Sequence, residues 1–154
     1  MNISEHVTLD EVSKSTTAIR LGINNTPPAD VIAKLKLTCE KIVEPARKHF
    51  GKPIKINSGY RSPKLNKAVG GSTTSSHCLG EAIDMEIPGV SNYDVAKWIS
   101  ENCPYDQIIL EGYTEGDPSS GWVHVSYRED NNRFQKLTAK FVKGKATYTP
   151  GLTK

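Results

Sequence analysis

The chain has 154 residues, a formal net charge of +3 and a hydrophobic fraction of 36%. This length suits one domain with a buried core, and we expect a single domain over residues 1–154. No apolar run is long enough to span a membrane, and the basic residues form no dense block with interleaved aromatic residues. These features exclude a membrane-spanning protein and argue against a nucleic-acid-binding module.

The first third of the chain predicts a short helix and a long helix separated by a loop. Thr8 and Glu11 have the spacing of a capping box, and a short helix follows. The rest of residues 1–27 is polar or turn-rich, which predicts a loop-rich segment. An amphipathic helix follows, because apolar residues recur at steps of three and four; Pro45 should kink it and Gly51 should end it.

Further elements follow at regular intervals along the chain. Pro53–Ser58 alternates apolar and polar residues, which predicts a strand. Residues 62–74 are rich in Gly, Ser and Thr, and we expect a long loop there. A cap at Ser91 predicts a helix to about Asn102. Residues 133–154 predict a C-terminal hairpin and tail.

One short stretch carries two metal-ligating residue types. His77 and Asp84 are seven positions apart, with Gly80 between them to allow a tight turn. From residue 82 the pattern alternates with period two, so Asp84 lies on a strand and points away from its apolar face. Imidazole nitrogen and carboxylate oxygen are preferred Zn²⁺ ligands, and this stretch predicts part of a zinc site.

A catalytic zinc usually has three protein ligands, and the third should lie on another element. The chain has four histidines; His6 is in a polar N-terminal segment and His49 ends a helical pattern. The remaining one, His124, lies in the strand-like run Trp122–Tyr127. This run and the strand Asp106–Glu111 most simply form a hairpin, which would bring the end of the first strand close to His124.

The neighbourhood of these ligands carries a family resemblance. The segment Ser58–Pro63, the Ser-x-His-x-x-Gly-x-Ala-x-Asp motif at Ser75–Asp84 and the later Trp122-x-His124 occur in this order. This combination resembles the M15 family of zinc D-Ala-D-Ala peptidases, in the branch of bacterial and phage cell-wall carboxypeptidases and endopeptidases. The resemblance covers roughly residues 5–130.

The resemblance implies a fold, an activity and a cofactor. The fold is α+β of the hedgehog/DD-peptidase type, in which a small, mainly antiparallel sheet carries the zinc site and helices pack on one face. The activity is hydrolysis of peptidoglycan stem peptides at bonds involving D-amino acids. The cofactor is Zn²⁺, with His77, Asp84 and His124 as its ligands.

The resemblance also implies a substrate-binding residue. The matching Arg of the family lines the active site and binds the substrate's carboxylate or carbonyl oxygen, which assigns this role to Arg61. A guanidinium offers the planar fork of donors that such an oxygen needs. We further expect Asn66 and Ser75, in or next to the predicted loop, to hydrogen-bond the substrate.

The general base is where this sequence departs from the family. Members often place an acid three residues before the second His, and Gly121 occupies that position here. Glu111, at the end of the partner strand, is our first choice because a strand holds a side chain more firmly than a loop does. Asp117 is the alternative, and Glu115 lies in the same loop.

Other interpretations remain open at this point. A non-catalytic wall-binding or phage structural module would keep zinc for stability, but structural zinc normally has four protein ligands. The three cysteines form no Cys-x-x-Cys pair, and we expect Cys78 to face inward as a small hydrophobe rather than to bind metal or act as a nucleophile.

The resemblance also implies where and with what the protein acts. The partner is a peptidoglycan peptide at the cell wall, and we expect a monomer. Met1–His6 has neither the basic nor the apolar region of a Sec signal peptide. A compact chain of this kind would suit a phage-encoded endolysin that is released from the host cytoplasm.

Overall fold

A computed structural model of the protein describes residues 1–71 and 75–154. The strands are β1 (Asn2–Ser4), β2 (Val7–Thr8), β3 (Lys55–Ser58), β4 (Ala82–Glu86), β5 (Gln107–Glu111), β6 (Trp122–Ser126), β7 (Gln135–Val142) and β8 (Lys145–Pro150). The helices are α1 (Leu9–Ser13), α2 (Thr16–Leu21), α3 (Ala29–Thr38), α4 (Glu44–Phe50), α5 (Pro63–Ala68) and α6 (Asn92–Asn102). A π-helical segment, Cys39–Val43, joins α3 to α4, and a 3₁₀ turn, Ser76–Leu79, precedes β4.

The main sheet has six strands in the order β3-β4-β6-β5-β7-β8. All neighbouring pairs are antiparallel except β5 and β7, which are parallel. The predicted α+β class is confirmed, but the sheet is mixed rather than purely antiparallel. The parallel pair arises because the chain leaves β6, passes the start of β5 and returns on its far side, where the Asp106 carbonyl accepts a hydrogen bond from the Gln135 amide.

The sheet separates a packed face from a face that carries polar groups. On β4, β5 and β6 the side chains of Met85, Leu110 and Val125 are fully buried in the core. Helices α3 and α6 contribute Leu35 and Ile99 to the same core. Alternate strand residues point to the opposite face, because successive side chains in a strand point to opposite sides. Within the described ranges, no helix is long and apolar enough to cross a membrane.

The N-terminal segment is more ordered than the prediction of a loop-rich segment. The capping box of Thr8 and Glu11 is present, but β1 pairs with β2 and a second helix, α2, follows. Ser15 caps α2, because its side chain accepts a hydrogen bond from the Ala18 amide. The Ser- and Thr-rich run that predicts a loop therefore contains a helix cap, because Ser favours both turns and N-cap positions.

The long helix is interrupted close to the predicted proline. Pro45 has no N–H, so the carbonyl one turn earlier loses its α-helical donor. The chain accommodates this with the π-helical segment, in which the Glu44 amide bonds to the Cys39 carbonyl five residues back. Gly51 adopts a left-handed conformation (φ 65°) and ends α4 as predicted.

Two predicted irregular regions contain regular structure. Helix α5 lies within the predicted loop 62–74, because Ser62 caps it and Pro63 occupies its first turn. The rest of that prediction extends to residues 72–74, which lie outside the described residues. At the C-terminus β8 continues to Pro150, and the Gly151 carbonyl accepts a hydrogen bond from Thr138 Oγ1, so this end is tied to the sheet.

Candidate metal centre

Three metal-ligating side chains meet on the polar face of the sheet. Asp84 on β4 is directly opposite His124 on β6 in the strand register, and His77 comes from the preceding 3₁₀ turn. His124 Nδ1 lies 3.0 Å from Asp84 Oδ1, and His77 Nε2 lies 3.4 Å from Asp84 Oδ2. The structure therefore brings together all three of the residues that the sequence indicated as ligands.

The loop before β4 orients His77 through backbone contacts. Ser75 Oγ accepts a hydrogen bond from the His77 amide at the start of the turn. Gly80 closes the turn at φ 76°, and a Cβ at this position would lie 2.7 Å from the Val31 carbonyl oxygen. His77 Nδ1 lies 2.7 Å from the Gly59 carbonyl oxygen, which can only accept, so Nδ1 carries the proton. Nε2 is thereby the ring nitrogen of His77 that faces Asp84.

The electrostatics of this group are those of a carboxylate between two imidazoles. Burial alone would raise the pKa of Asp84, but His77 and His124 hold it well below its usual range. Burial would lower the pKa of His124, and the Asp84 carboxylate more than offsets this and raises it. Asp84 is therefore ionised at neutral pH.

The donor set fits a zinc ion. Two imidazole nitrogens and a carboxylate oxygen, all within 4.8 Å of one another, are common zinc ligands. The Gly59 carbonyl provides the outer hydrogen bond that typically orients a ligating histidine. Within residues 1–71 and 75–154, no fourth His, Cys, Asp or Glu belongs to this group. This donor set corresponds to an open, catalytic type of site rather than a closed, structural one.

Cys78 does not join the metal-ligating group. Its side chain is half-buried rather than fully inward, which corrects the predicted orientation, and it lines a separate pocket beside α5. Burial raises the pKa of the Cys78 thiol, which disfavours the thiolate that a metal ligand or nucleophile requires.

Glu111 lies in the same cleft as His77, Asp84 and His124. Burial raises the pKa of Glu111, and the negative charge of Asp84 raises it further. Trp122 Nε1 donates a 2.7 Å hydrogen bond to Glu111 Oε2 from the opposite position on β6. The carboxylate is therefore held on a strand and is a stronger base than an exposed glutamate.

The backbone at Gly121 explains why the acid cannot occupy that position. Gly121 has φ 69°, and a Cβ there would lie 2.0 Å from the Glu111 carbonyl oxygen. No side chain fits in this space. The alternative base, Asp117, is exposed in the turn before β6, accepts a hydrogen bond from Ser119, and does not line the cleft.

The predicted substrate-binding residues are only partly brought together. Arg61 and Ser75 line the cleft, and Arg61 Nη2 lies 3.4 Å from Ser75 Oγ. Among the described residues, the buried Arg61 Nε has no hydrogen-bond partner. Asn66 is buried in α5 and lines the pocket of Cys78. It does not line the cleft, contrary to the prediction that it binds substrate.

The cleft has a volume of about 570 Å³ and extends beyond the predicted site. Sequence reasoning missed lining residues from β5, from the segment after β6 and from the C-terminal hairpin. These are Gln107, Ile109, Arg128, Arg133 and Tyr148. Alternation along β5 could have placed Gln107 and Ile109 on the same face as Glu111. No local pattern marks the two arginines, because their position depends on the non-local pairing of β7 with β5.

The chain matches a known protein family over the segment that contains these side chains. A comparison with curated proteins finds no match. The sequence model of the family described as Peptidase M15 matches residues 5–126, which include His77, Asp84 and His124. M15 peptidases in general depend on zinc, for which this donor set is suited. The match covers most of the chain, and the protein therefore belongs to the peptidase M15 family.

Proposed function

We propose that the protein is a zinc-dependent peptidase that hydrolyses peptidoglycan stem peptides at bonds involving D-amino acids, as a D-Ala-D-Ala carboxypeptidase or an endopeptidase. The observation that carries the proposal is the presence of three zinc-type donors and a half-buried glutamate of raised pKa in one cleft. The M15 membership supports peptide hydrolysis. The choice of peptidoglycan rests on the resemblance of the motifs to cell-wall enzymes.

His77, Asp84 and His124 would hold the metal. Zinc, when bound, supplies Lewis acidity that polarises a carbonyl group and makes water more acidic. The chain contributes an ionised Asp84 and a His77 whose Nε2 lone pair is directed inward by the Gly59 carbonyl. The ionised carboxylate attracts a cation, and Nε2 of His77 binds it when that nitrogen carries no proton.

Glu111 acts as the general base and then as the general acid. Its carboxylate takes a proton from the attacking water and returns it to the leaving amine, which is the two-way transfer that amide hydrolysis requires. A raised pKa suits this role, because the same group must accept and release a proton near neutral pH. Trp122 fixes one carboxylate oxygen and leaves Oε1 for the water.

Arg61 binds a carboxylate or carbonyl oxygen of the substrate. Its buried Nε has no hydrogen-bond partner among the described residues. A substrate oxygen that accepts a hydrogen bond from Nε would offset the free-energy cost of desolvating this donor. Ser75 keeps the guanidinium in place, because its Oγ lies near Arg61 Nη2. Action at the cell wall, a monomeric state and a phage origin remain parts of the proposal that rest on the family resemblance.

The test combines metal content with cleavage. Zinc per chain is measured by mass spectrometry, and release of soluble fragments, free D-Ala included, from purified peptidoglycan is measured for wild type, Glu111→Gln and the control Asp117→Asn. We expect about one zinc per chain in all three proteins, normal cleavage by Asp117→Asn and a loss of about 10²–10⁴-fold for Glu111→Gln.

Two outcomes would change the assignment. Zinc binding without fragment release in wild type would favour the alternative, a non-catalytic zinc-containing wall-binding or phage structural module. Undiminished cleavage by Glu111→Gln would remove Glu111 from the mechanism. Unchanged cleavage by an exhaustively demetallated sample would contradict the metallopeptidase assignment itself.

A further inference from the structure

A pair of arginines shares one buried carboxylate at the start of β5. Arg133 Nε lies 3.1 Å from Asp106 Oδ1, and Arg133 Nη2 lies 2.8 Å from Oδ2. Arg128 Nε lies 3.4 Å from the same Oδ2. The Asp106 side chain is 3% exposed, whereas the arginine side chains are 44% and 48% exposed. A buried anion thus orients two guanidinium groups toward solvent, and both line the cleft.

The charges at this end of the cleft do not balance. One carboxylate faces two guanidinium groups, which leaves a residual positive charge. Glu81 and Glu129 also act on this region, and neither lines the cleft. Lys34 acts favourably on Glu81 and offsets part of its charge.

Donors remain available on both arginines. Each guanidinium has five N–H donors in a planar fork. The contacts to Asp106 use Nε of Arg128 and Nε and Nη2 of Arg133. Among the described residues, Arg128 Nη1 and Nη2 and Arg133 Nη1 have no hydrogen-bond partner. A planar acceptor with two oxygens is the ligand that such a fork binds best.

The connection that carries the arginines is ordered by its own hydrogen bonds. Asn132 Oδ1 accepts from the Arg128 amide, and Asn132 Nδ2 donates to the Arg128 carbonyl. The Arg133 amide donates to Asp106 Oδ1. These contacts hold both ends of the connection between β6 and β7, which reduces the entropy lost when a ligand binds.

The two arginines are separated from Arg61 across the sheet. Arg61 follows β3, whereas Arg133 precedes β7, four steps along the sheet order. The ligands Asp84 and His124 lie on the intervening strands. Arg128 and Arg133 lie beyond the residues that the family model matches, so this end of the cleft is built by the C-terminal part of the chain.

We propose that Arg128 and Arg133, oriented by Asp106, form an anion subsite that binds a carboxylate of the peptide substrate. This inference rests on the proposed function for the identity of the substrate. It implies that the enzyme prefers peptides with a carboxylate in addition to any group that Arg61 binds. The carboxylate belongs to an acidic residue or to a free C-terminus.

The test measures binding separately from cleavage. All proteins carry Glu111→Gln and are loaded with zinc, and their Kd values for peptidoglycan sacculi are measured by co-sedimentation at low salt. The sacculi are used native and after carbodiimide-coupled amidation of their carboxylates. Arg128→Gln is the test variant, because Arg133 still satisfies Asp106. Arg20→Gln is the matched control, because it removes one positive charge at an exposed position that does not line the cleft.

We expect Arg128→Gln to weaken binding to native sacculi about tenfold, equivalent to ~1.4 kcal/mol. On amidated sacculi, the Kd values with and without Arg128→Gln should be equal. Arg20→Gln should have little effect on either. The subsite is overturned if the Glu111→Gln parent and its Arg128→Gln variant bind native sacculi equally well, or if neither of them binds. Fragment release is scored separately with Glu111 intact, so a protein that binds in this way without cleaving contradicts only the proposed peptidase function.

Discussion

Among the described residues, two groups of imidazole and carboxylate have the residue types of a metal site, and only one of them has surroundings suited to a metal ion. The sheet group consists of His77, Asp84 and His124. The surface group consists of Glu5, His6 and Glu44, at the contact between the β1–β2 turn and the start of α4. The comparison shows what the fold adds to a set of suitable side chains.

In the surface group, both carboxylate oxygens of Glu44 already have partners within the chain. Glu44 Oε1 lies 2.7 Å from His6 Nδ1, and Glu44 Oε2 accepts from the His6 amide at 2.8 Å and from Ser4 Oγ. The His6 side chain is 40% exposed. These contacts fasten the N-terminal turn to the helix, and they leave the carboxylate occupied by backbone and hydroxyl donors.

The sheet group is buried, and a backbone group outside it orients one of its two histidines, His77. The side chains are only 3%, 15% and 11% exposed for His77, Asp84 and His124. The Gly59 carbonyl holds the proton of His77 on Nδ1, away from the group. Burial and an outer hydrogen bond therefore distinguish a site that can hold a cation from an ion pair that supports the fold.

The largest expected effect comes from exchanging one histidine in each group. His124→Ala should lose bound zinc and reduce peptide cleavage about 10³-fold or more, because several kcal/mol of transition-state stabilisation disappear with the metal. His6→Ala should keep both. Metal content and fragment release measure these outcomes, and retention of zinc by His124→Ala would contradict the ligand assignment.

A smaller effect is expected from the residue that holds the base. Trp122→Phe removes the hydrogen bond to Glu111 Oε2 but keeps an aromatic ring against Phe141, which stacks on Trp122 at 5.9 Å. We expect kcat to fall about tenfold, since a misoriented base loses part of its acid–base contribution. KM and zinc content should stay near wild type.

The control for this prediction is the other tryptophan. Trp98 stacks on His49 and does not line the cleft. Trp98→Phe should therefore change the free energy of unfolding rather than kcat. Equal kcat values for the two variants would show that Trp122 has no positioning role.

The smallest expected effect concerns the stability of the surface group. Burial would raise the pKa of Glu44, but hydrogen bonds from Ser4 and His6 lower it below its ordinary value in the folded protein. A carboxyl group with a depressed folded-state pKa stabilises the fold above its unfolded pKa, and this contribution is lost as pH falls through the folded-state pKa. Glu44→Gln should thus lower the free energy of unfolding by about 1 kcal/mol near neutral pH.

The measurement compares denaturant unfolding of metal-free wild type and Glu44→Gln from neutral pH to acid. The difference between the two proteins should shrink as the pH falls below the ordinary range of glutamate. The metal-free protein is used because zinc release at acid pH would otherwise contribute to the change. A difference that is constant with pH would contradict the electrostatic origin of this contact.

Much of the fold and of the site could be predicted from local patterns. The capping box at Thr8, the end of α4 at Gly51 and the strand around Asp84 follow from backbone and periodicity rules, and the structure agrees. The hairpin of β5 and β6 placed Glu111 near His124, because residues opposite one another in antiparallel strands are set by the turn between them.

Predictions from local sequence were wrong where a residue type is common both in turns and at the start of helices. The Ser15 cap of α2 and the Ser62-Pro63 start of α5 look like loop sequence, because Ser and Pro favour both turns and helix beginnings. The prediction that Asn66 binds substrate depended on the predicted loop over residues 62–74. The helix it belongs to turns its side chain into a buried position away from the cleft.

The sequence by itself determined which side chains could bind zinc, which strands alternate, and that an acid is missing at Gly121. Only the tertiary structure places Glu111 in the cleft and Asp117 outside it, because the position of each side chain depends on how β5 and β6 pair. It also decided the parallel pairing of β7 with β5, which brings Arg128 and Arg133 to Asp106. Such contacts join residues far apart in the chain, and their free energy depends on burial and geometry that no local pattern encodes.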